Sequence, residues 1–159
     1  MEWFRKLTIN QWAALFTLLV GLYLVAVEWL DLYPWTTSLA ITHGDNGQQS
    51  IDVITGVVLL AMVFALWRGA RTISVVSALL LGFWMWLQLT TWWIPYFTGA
   101  SAGWTRVYAK WFAGTTQILP SSPGHYPPDA NHFVLQVILA VAIGLCVASA
   151  FKKRGPLES

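Results

Sequence analysis

The segment GHYPPDANHFVLQ, Gly124 to Gln136, sets two histidines, a tyrosine, two prolines and an aspartate at the approach to a long apolar run. Asp129 precedes His132 by three residues and Gln136 follows it by four, so a helix starting here places all three near one face. Histidine changes charge near neutral pH, which makes His132 a candidate general acid or base, with Glu28 or Asp52 as carboxylate partner. The types suit isomerisation or hydrolysis, although neither Gly-x-Ser-x-Gly nor His-Glu-x-x-His occurs. A metal version would draw on His43, Asp45, His125, Asp129 and His132, whose donors suit zinc. Yet the spacing His125-x3-Asp129-x2-His132 straddles Pro127 and Pro128, which is not the spacing of a helical ligand pair, so no metal is assigned. The sequence leaves the identity of any other cofactor unknown.

The elements that must position these groups follow from composition. With 57% hydrophobic residues, 10% charged residues and a mean hydropathy of +0.58, 159 residues are too apolar for a soluble domain. Four continuous apolar segments, 11–32, 51–67, 73–93 and 132–151, are long enough to cross a hydrocarbon core of about 30 Å as helices. Because the apolar residues run continuously and do not alternate, a transmembrane barrel is excluded. The fold class expected is therefore all-α, a single integral membrane domain built as a four-helix bundle. Arg5 and Lys6 precede a first span too long for a secretory signal and lacking a cleavage site, so it is read as retained. Cys146 is the single cysteine, which rules out an intramolecular disulfide or a Cys-x-x-Cys redox pair. Basic residues sit as anchors at helix ends with no basic domain, so nucleic acid is not a partner.

Those anchors also set an orientation. Arg5, Lys6, Arg68, Arg71, Lys152, Lys153 and Arg154 fall on one side and only Arg106 and Lys110 on the other, which places both termini in the cytoplasm of a plasma or inner membrane. The three histidines, Glu28, Asp31, Asp45, Asp52 and Asp129 then gather on the outer side. In the first outer connection, Pro34 to Ser50, the run HGDNGQQ predicts tight turns without regular structure. The second contains GWTRVYAKWF, whose Trp104, Val107, Tyr108, Trp111 and Phe112 recur at helical spacing while Arg106 and Lys110 point elsewhere. This predicts a short helix over 103–112, lying at the outer leaflet with its aromatic face down or packed on the bundle as a lid.

Counting about 1.5 Å per residue from the cytoplasmic ends puts Glu28, Asp52, Gln88, His132 and Gln136 at similar heights, between about 24 and 30 Å. Each span thus carries a polar group in one thin layer, and such groups should turn away from lipid. Ser74, Ser77, Leu81, Trp84, Gln88 and Trp92 form one stripe of the third span. Below the layer, Gly21 and Gly56 and the series Ala140, Gly144, Ala148 are small enough for close helix approach, inside the bundle or between copies of the chain through the fourth span. The expectation is a bundle tight below and open above, whose pocket binds a small amphiphilic or lipid-like ligand through Glu28, Asp52, Trp84, Gln88, Trp92, His132 and Gln136. Trp29, Trp93 and Tyr96 are further candidate walls, although most of the eleven tryptophans are read as an interfacial belt. Transport, a membrane-embedded enzyme with His132, Glu28 and Asp52 as acid–base groups, and an accessory subunit of a membrane complex all remain open. In outline alone the pattern is similar to small multidrug transporters and to bundles of the sterol-isomerase type, with no motif that carries residues across.

Overall fold

The computed structural model describes residues 7–44 and 46–152. Its helices are α1 (Ile9–Trp29), α2 (Ser38–Gly44), α3 (Asn46–Trp67), α4 (Arg71–Thr98), α5 (Ala102–Trp111) and α6 (Ala130–Phe151). Among the described residues there is no strand, and α1, α3, α4 and α6 are long and apolar enough to cross a membrane. The chain is an all-α integral membrane protein built on four long helices.

At one end of the bundle lie the start of α1, the α3–α4 turn and the end of α6. A capping box opens α1: the Thr8 hydroxyl accepts from the Gln11 N–H, and the Gln11 side chain accepts from the Thr8 N–H at 2.8 Å. The α3–α4 turn depends on Gly69, whose φ of +80° would strain any residue with a Cβ. α1 packs along α3 and α6, and α6 packs along α1 and α4, whereas α3 and α4 touch little despite the short turn joining them. The core at this end is built from Ala13, Ala14, Val20, Leu66, Leu139, Ala142 and Cys146, all fully buried. Alanines on α1 and α6 let the backbones approach, which is where helix association in lipid finds its energy. Of the polar groups buried here, Ser74 and Ser149 share a hydrogen bond of 2.8 Å between α4 and α6 and the Thr17 hydroxyl donates to the Ala13 carbonyl, while the Ser77 hydroxyl has no partner among the described residues. Facing away from this core, Leu22, Ile54, Val57, Leu79, Phe83 and Phe97 are 58–69% exposed, a surface that suits lipid and not water.

The opposite end is roofed by the connection between α4 and α6. Within it α5 turns Trp104, Tyr108 and Phe112 down onto Trp92 of α4, leaving Arg106, Val107 and Lys110 exposed. Trp92 meets Phe112 at 5.0 Å and Trp104 at 5.2 Å, both edge to face, and Tyr108 stacks on Tyr126 at 4.4 Å. The aromatic stripe therefore takes the lid arrangement. Both connections are tied to each other: the Thr37 hydroxyl donates to the Trp111 carbonyl at 2.5 Å, and the Thr116 N–H to the Pro34 carbonyl at 2.7 Å.

Three boundaries differ from expectation. The first connection is not irregular, because it holds α2, and α3 begins at Asn46 within the run that predicted turns. Polar residues there satisfy the helix itself, as Ser38 N–H donates to the Thr36 hydroxyl and the Gln48 amide to Asp52 at 2.6 Å. α1 stops at Trp29, three residues short of Leu32, since Leu30 is extended and Asp31 accepts from the Tyr33 N–H ahead of Pro34. α4 continues through Pro95 to Thr98, because a proline in the final turns removes one backbone bond close to where the ladder ends anyway, and Gly99 closes it with φ +99°.

Candidate functional site

Beneath the lid, where α3 and α4 diverge, lies a cavity of about 320 Å³. Each wall is held by a different element. From α1 come Leu24, Val27 and Glu28, from α2 Ser38 and Ile41, and from α3 Gln48, Asp52 and Thr55. α4 supplies Trp84 and Gln88, α6 supplies Asn131, His132 and Leu135, and Phe112 closes the roof. The helical steps 24–28, 48–52–55, 84–88 and 131–135 explain why each helix offers a short stripe and not a single side chain.

His132 is the most constrained of these groups. Asp129 caps α6, its Oδ1 accepting from the His132 N–H at 2.9 Å, and the same oxygen lies 2.6 Å from His132 Nδ1. A carboxylate accepts only, so Nδ1 carries the proton and Nε2 is left as the ring's acceptor when the imidazole is neutral. Trp92 lies against the ring at 4.3 Å and Phe112 meets it edge-on at 5.6 Å. Asp129 is wholly buried, and its Oδ2 has no partner among the described residues. Burial first, and then the nearby Asp129 charge, push the Tyr108 phenol up to about 12, so the lid presents it as a neutral group.

Asn131, one residue earlier, faces another network. Its amide donates to the hydroxyls of Thr36 at 3.3 Å and Ser38 at 3.4 Å, which themselves share a hydrogen bond of 2.7 Å. Asn131 Oδ1 is buried without a partner among the described residues, as is Gln88 Oε1. Among the described residues, two carboxylates and no lysine or arginine line the cavity.

Of the residues the sequence nominates, the structure brings Glu28, Asp52, Trp84, Gln88 and His132 to one cavity. Trp92 and Gln136 stand behind its wall. Trp92 is 2% exposed and braces His132, while Gln136 Oε1 accepts from the Trp93 indole at 2.8 Å. Both lie on the predicted stripes, but the lid covers Trp92 and Trp93 claims Gln136. The other expected walls also lie elsewhere: Trp29 meets His43 edge-on at 5.5 Å, and Tyr96 meets Trp93 and Phe97 edge to face. The metal candidates are dispersed: His125 Nδ1 bonds the Tyr96 carbonyl, Asp129 holds His132, and Asp45 lies outside the described residues. Among the described residues no three histidine, cysteine or acidic side chains are grouped to hold an ion. Ala140, Gly144 and Ala148 are exposed on the outer face of α6, so the small series does not serve packing inside the bundle.

Sequence reasoning missed Asn131, Thr36 and Ser38. A signal existed for the first: Asn131 heads the series Leu135, Leu139, Ala142, Cys146, Ser149, the buried stripe of α6. Comparison with protein-family models, curated proteins and solved structures finds no match for this chain.

Proposed function

We propose that the cavity is a binding site for a small amphiphilic or lipid-like molecule, as the binding step of its transport, with the lidded end on the extracytoplasmic side. The supporting observation is convergence: polar side chains from five helices and an aromatic roof meet around one volume, at the small end of the range that ligand pockets occupy. Apolar residues Leu24, Val27, Ile41 and Leu135 suit a hydrocarbon portion, and Glu28, Asp52, Gln88 and Asn131 suit a polar head. The excess of basic anchors at the opposite end supports the orientation.

The test is to extract the protein gently from its own membrane and weigh what it retains by native mass spectrometry, beside Thr55→Trp, which fills the cavity from α3. A small-molecule adduct present in the wild type and lost in Thr55→Trp is the expected result. Identical adducts in both, or none in either, would remove the binding role and favour an accessory subunit.

One observation favours catalysis as a second reading. The buried Asp129 fixes the tautomer of His132 and leaves Nε2 at the cavity wall, the geometry of an oriented general base. This pairs His132 with Asp129 and not with Glu28 or Asp52. Chemical turnover of the retained molecule that His132→Gln stops without loss of the adduct would establish that role.

A further inference from the structure

The cavity is sealed on most sides and open on one. Resting on the binding role above, we propose that its ligand is a bilayer lipid that enters sideways between α3 and α4, its head in the cavity and its tail left in the membrane.

Burial around the cavity is uneven. Val27 of α1, Asn131 and Leu135 of α6 and Phe112 of the lid are buried, whereas every lining side chain from α3 and α4 keeps exposed surface. Ile51 both lines the cavity and is 58% exposed, which a side chain achieves at a mouth and not in a sealed wall. Other directions are closed. Phe112 lies above, and one helical turn toward the α3–α4 turn from Thr55, Trp84 and Leu135 stand Leu59, Leu81 and Leu139, at most 4% exposed and joined in one core. Around the sides α1 packs along α3 and α6, and α6 along α4, so the α3–α4 side is the one where neighbouring helices touch little.

The rim defines what lies outside the mouth. Ile51, Ile54 and Val58 of α3 and Leu80, Phe83 and Leu87 of α4 are apolar and 41–63% exposed, a border that suits hydrocarbon and not water. Size defines what lies inside. At about 30 Å³ for each atom of a water's bulk, 320 Å³ takes roughly ten non-hydrogen atoms, enough for a polar head and its first carbons. A lipid chain is longer than that, so its remainder leaves through the mouth into the bilayer, where it stays out of water.

The experiment uses monopalmitoylglycerol carrying a mid-chain diazirine, a lipid with a small uncharged head, mixed into phosphatidylcholine nanodiscs that hold the protein. After irradiation, labelled positions are mapped by mass spectrometry. Labelling of 51–58 and 80–88 should exceed that of 133–148, the span that includes the lipid-facing side of α6, by about threefold or more. Thr55→Trp, which fills the cavity, should bring the regions to parity, and so should Ile51→Trp at the exposed mouth, with thermal stability unchanged. Even labelling of all lipid-facing helices, with the native adduct still lost in Thr55→Trp, would overturn lateral entry and leave the pocket in place. Even labelling with no such adduct would remove the pocket as well. Labelling of α3 and α4 below that of α6, with a second copy cross-linked at the gap, would overturn the lipid in favour of a protein occupant.

Discussion

The two ends of this bundle solve the same problem, placing polar atoms among apolar helices, in opposite ways. At the end that holds the α3–α4 turn, polar side chains are few and short, and apart from Ser77 they are satisfied, with Ser74 against Ser149 and Thr17 against its own backbone. Alanines bring the helices together there, and the packing is continuous through Leu66, Leu139 and Cys146. At the lidded end the polar side chains are long and numerous, several acceptors are unmatched, and the helices diverge around a cavity. Unsatisfied buried groups are what a stability-optimised bundle removes, so their concentration at one end marks the region where stability was not the controlling requirement.

The contrast can be broken by substitution. Leu139→Ala removes a fully buried side chain from the close-packed end and should destabilise the protein by about 3 kcal/mol, measured by unfolding in mixed micelles. A loss below about 1 kcal/mol would mean that this end is loosely packed after all. Asp129→Ala deletes the α6 cap and the acceptor for His132, for an expected loss of about 2 kcal/mol, whereas Asp129→Asn keeps the cap and should cost about half as much. Equal losses in the two variants would show that the histidine contact, and not the cap, dominates. A double-mutant cycle on Ser74→Ala and Ser149→Ala should give a coupling near 0.6 kcal/mol, typical of hydrogen bonds between membrane helices. Glu28→Gln should leave stability within about 0.5 kcal/mol while weakening ligand retention; a large loss of stability would make the carboxylate structural. At neutral pH the Tyr108 phenol is protonated in the folded and the unfolded chain alike, so it adds no pH dependence there. Its pKa is raised from 10.0 to about 12 by folding, so the stability it lends is complete below about pH 10 and is lost as pH rises through 12. Alkaline loosening of the lid, followed by tryptophan fluorescence, should shift in Tyr108→Phe.

The close-packed end and the long helices were largely legible in the sequence, because burial in lipid imposes continuous apolar runs that no local preference overrides. The polar layer was legible for the same reason: Glu28, Asp52, Gln88 and His132 are conspicuous in apolar surroundings, and counting residues sufficed to level them. Asn131 was hidden because it directly precedes His132, and one residue along a helix turns a side chain by about 100° onto another face. Thr36 and Ser38 were hidden because their role depends on a partner 93–95 residues away, which no local window contains. The helical structure in HGDNGQQ escaped notice since glycine, asparagine and aspartate report turn preference, and packing against α1 overrides it. Trp92 was misplaced by the lid, whose inward aromatic face covers it, and Gln136 by the Trp93 indole of α4, neighbours that their own helices do not reveal.

The long spacings within the lidded end carry a consequence for synthesis. Asn131 joins Thr36 across 95 residues, Tyr23 reaches the Asn131 carbonyl across 108, and Thr37 reaches Trp111 across 74. A chain emerging from the ribosome can pack α1 against α3 early, as a neighbouring pair, but nothing can complete the ring of polar groups until α6 arrives last. Glu28 and Asp52 therefore enter the bilayer ahead of the residues that will share their cavity, and a nascent chain halted before Asp129 leaves both facing the membrane or its insertion machinery. The site is a late product of assembly, so a chain that has formed it has necessarily placed α1, α3, α4 and α6.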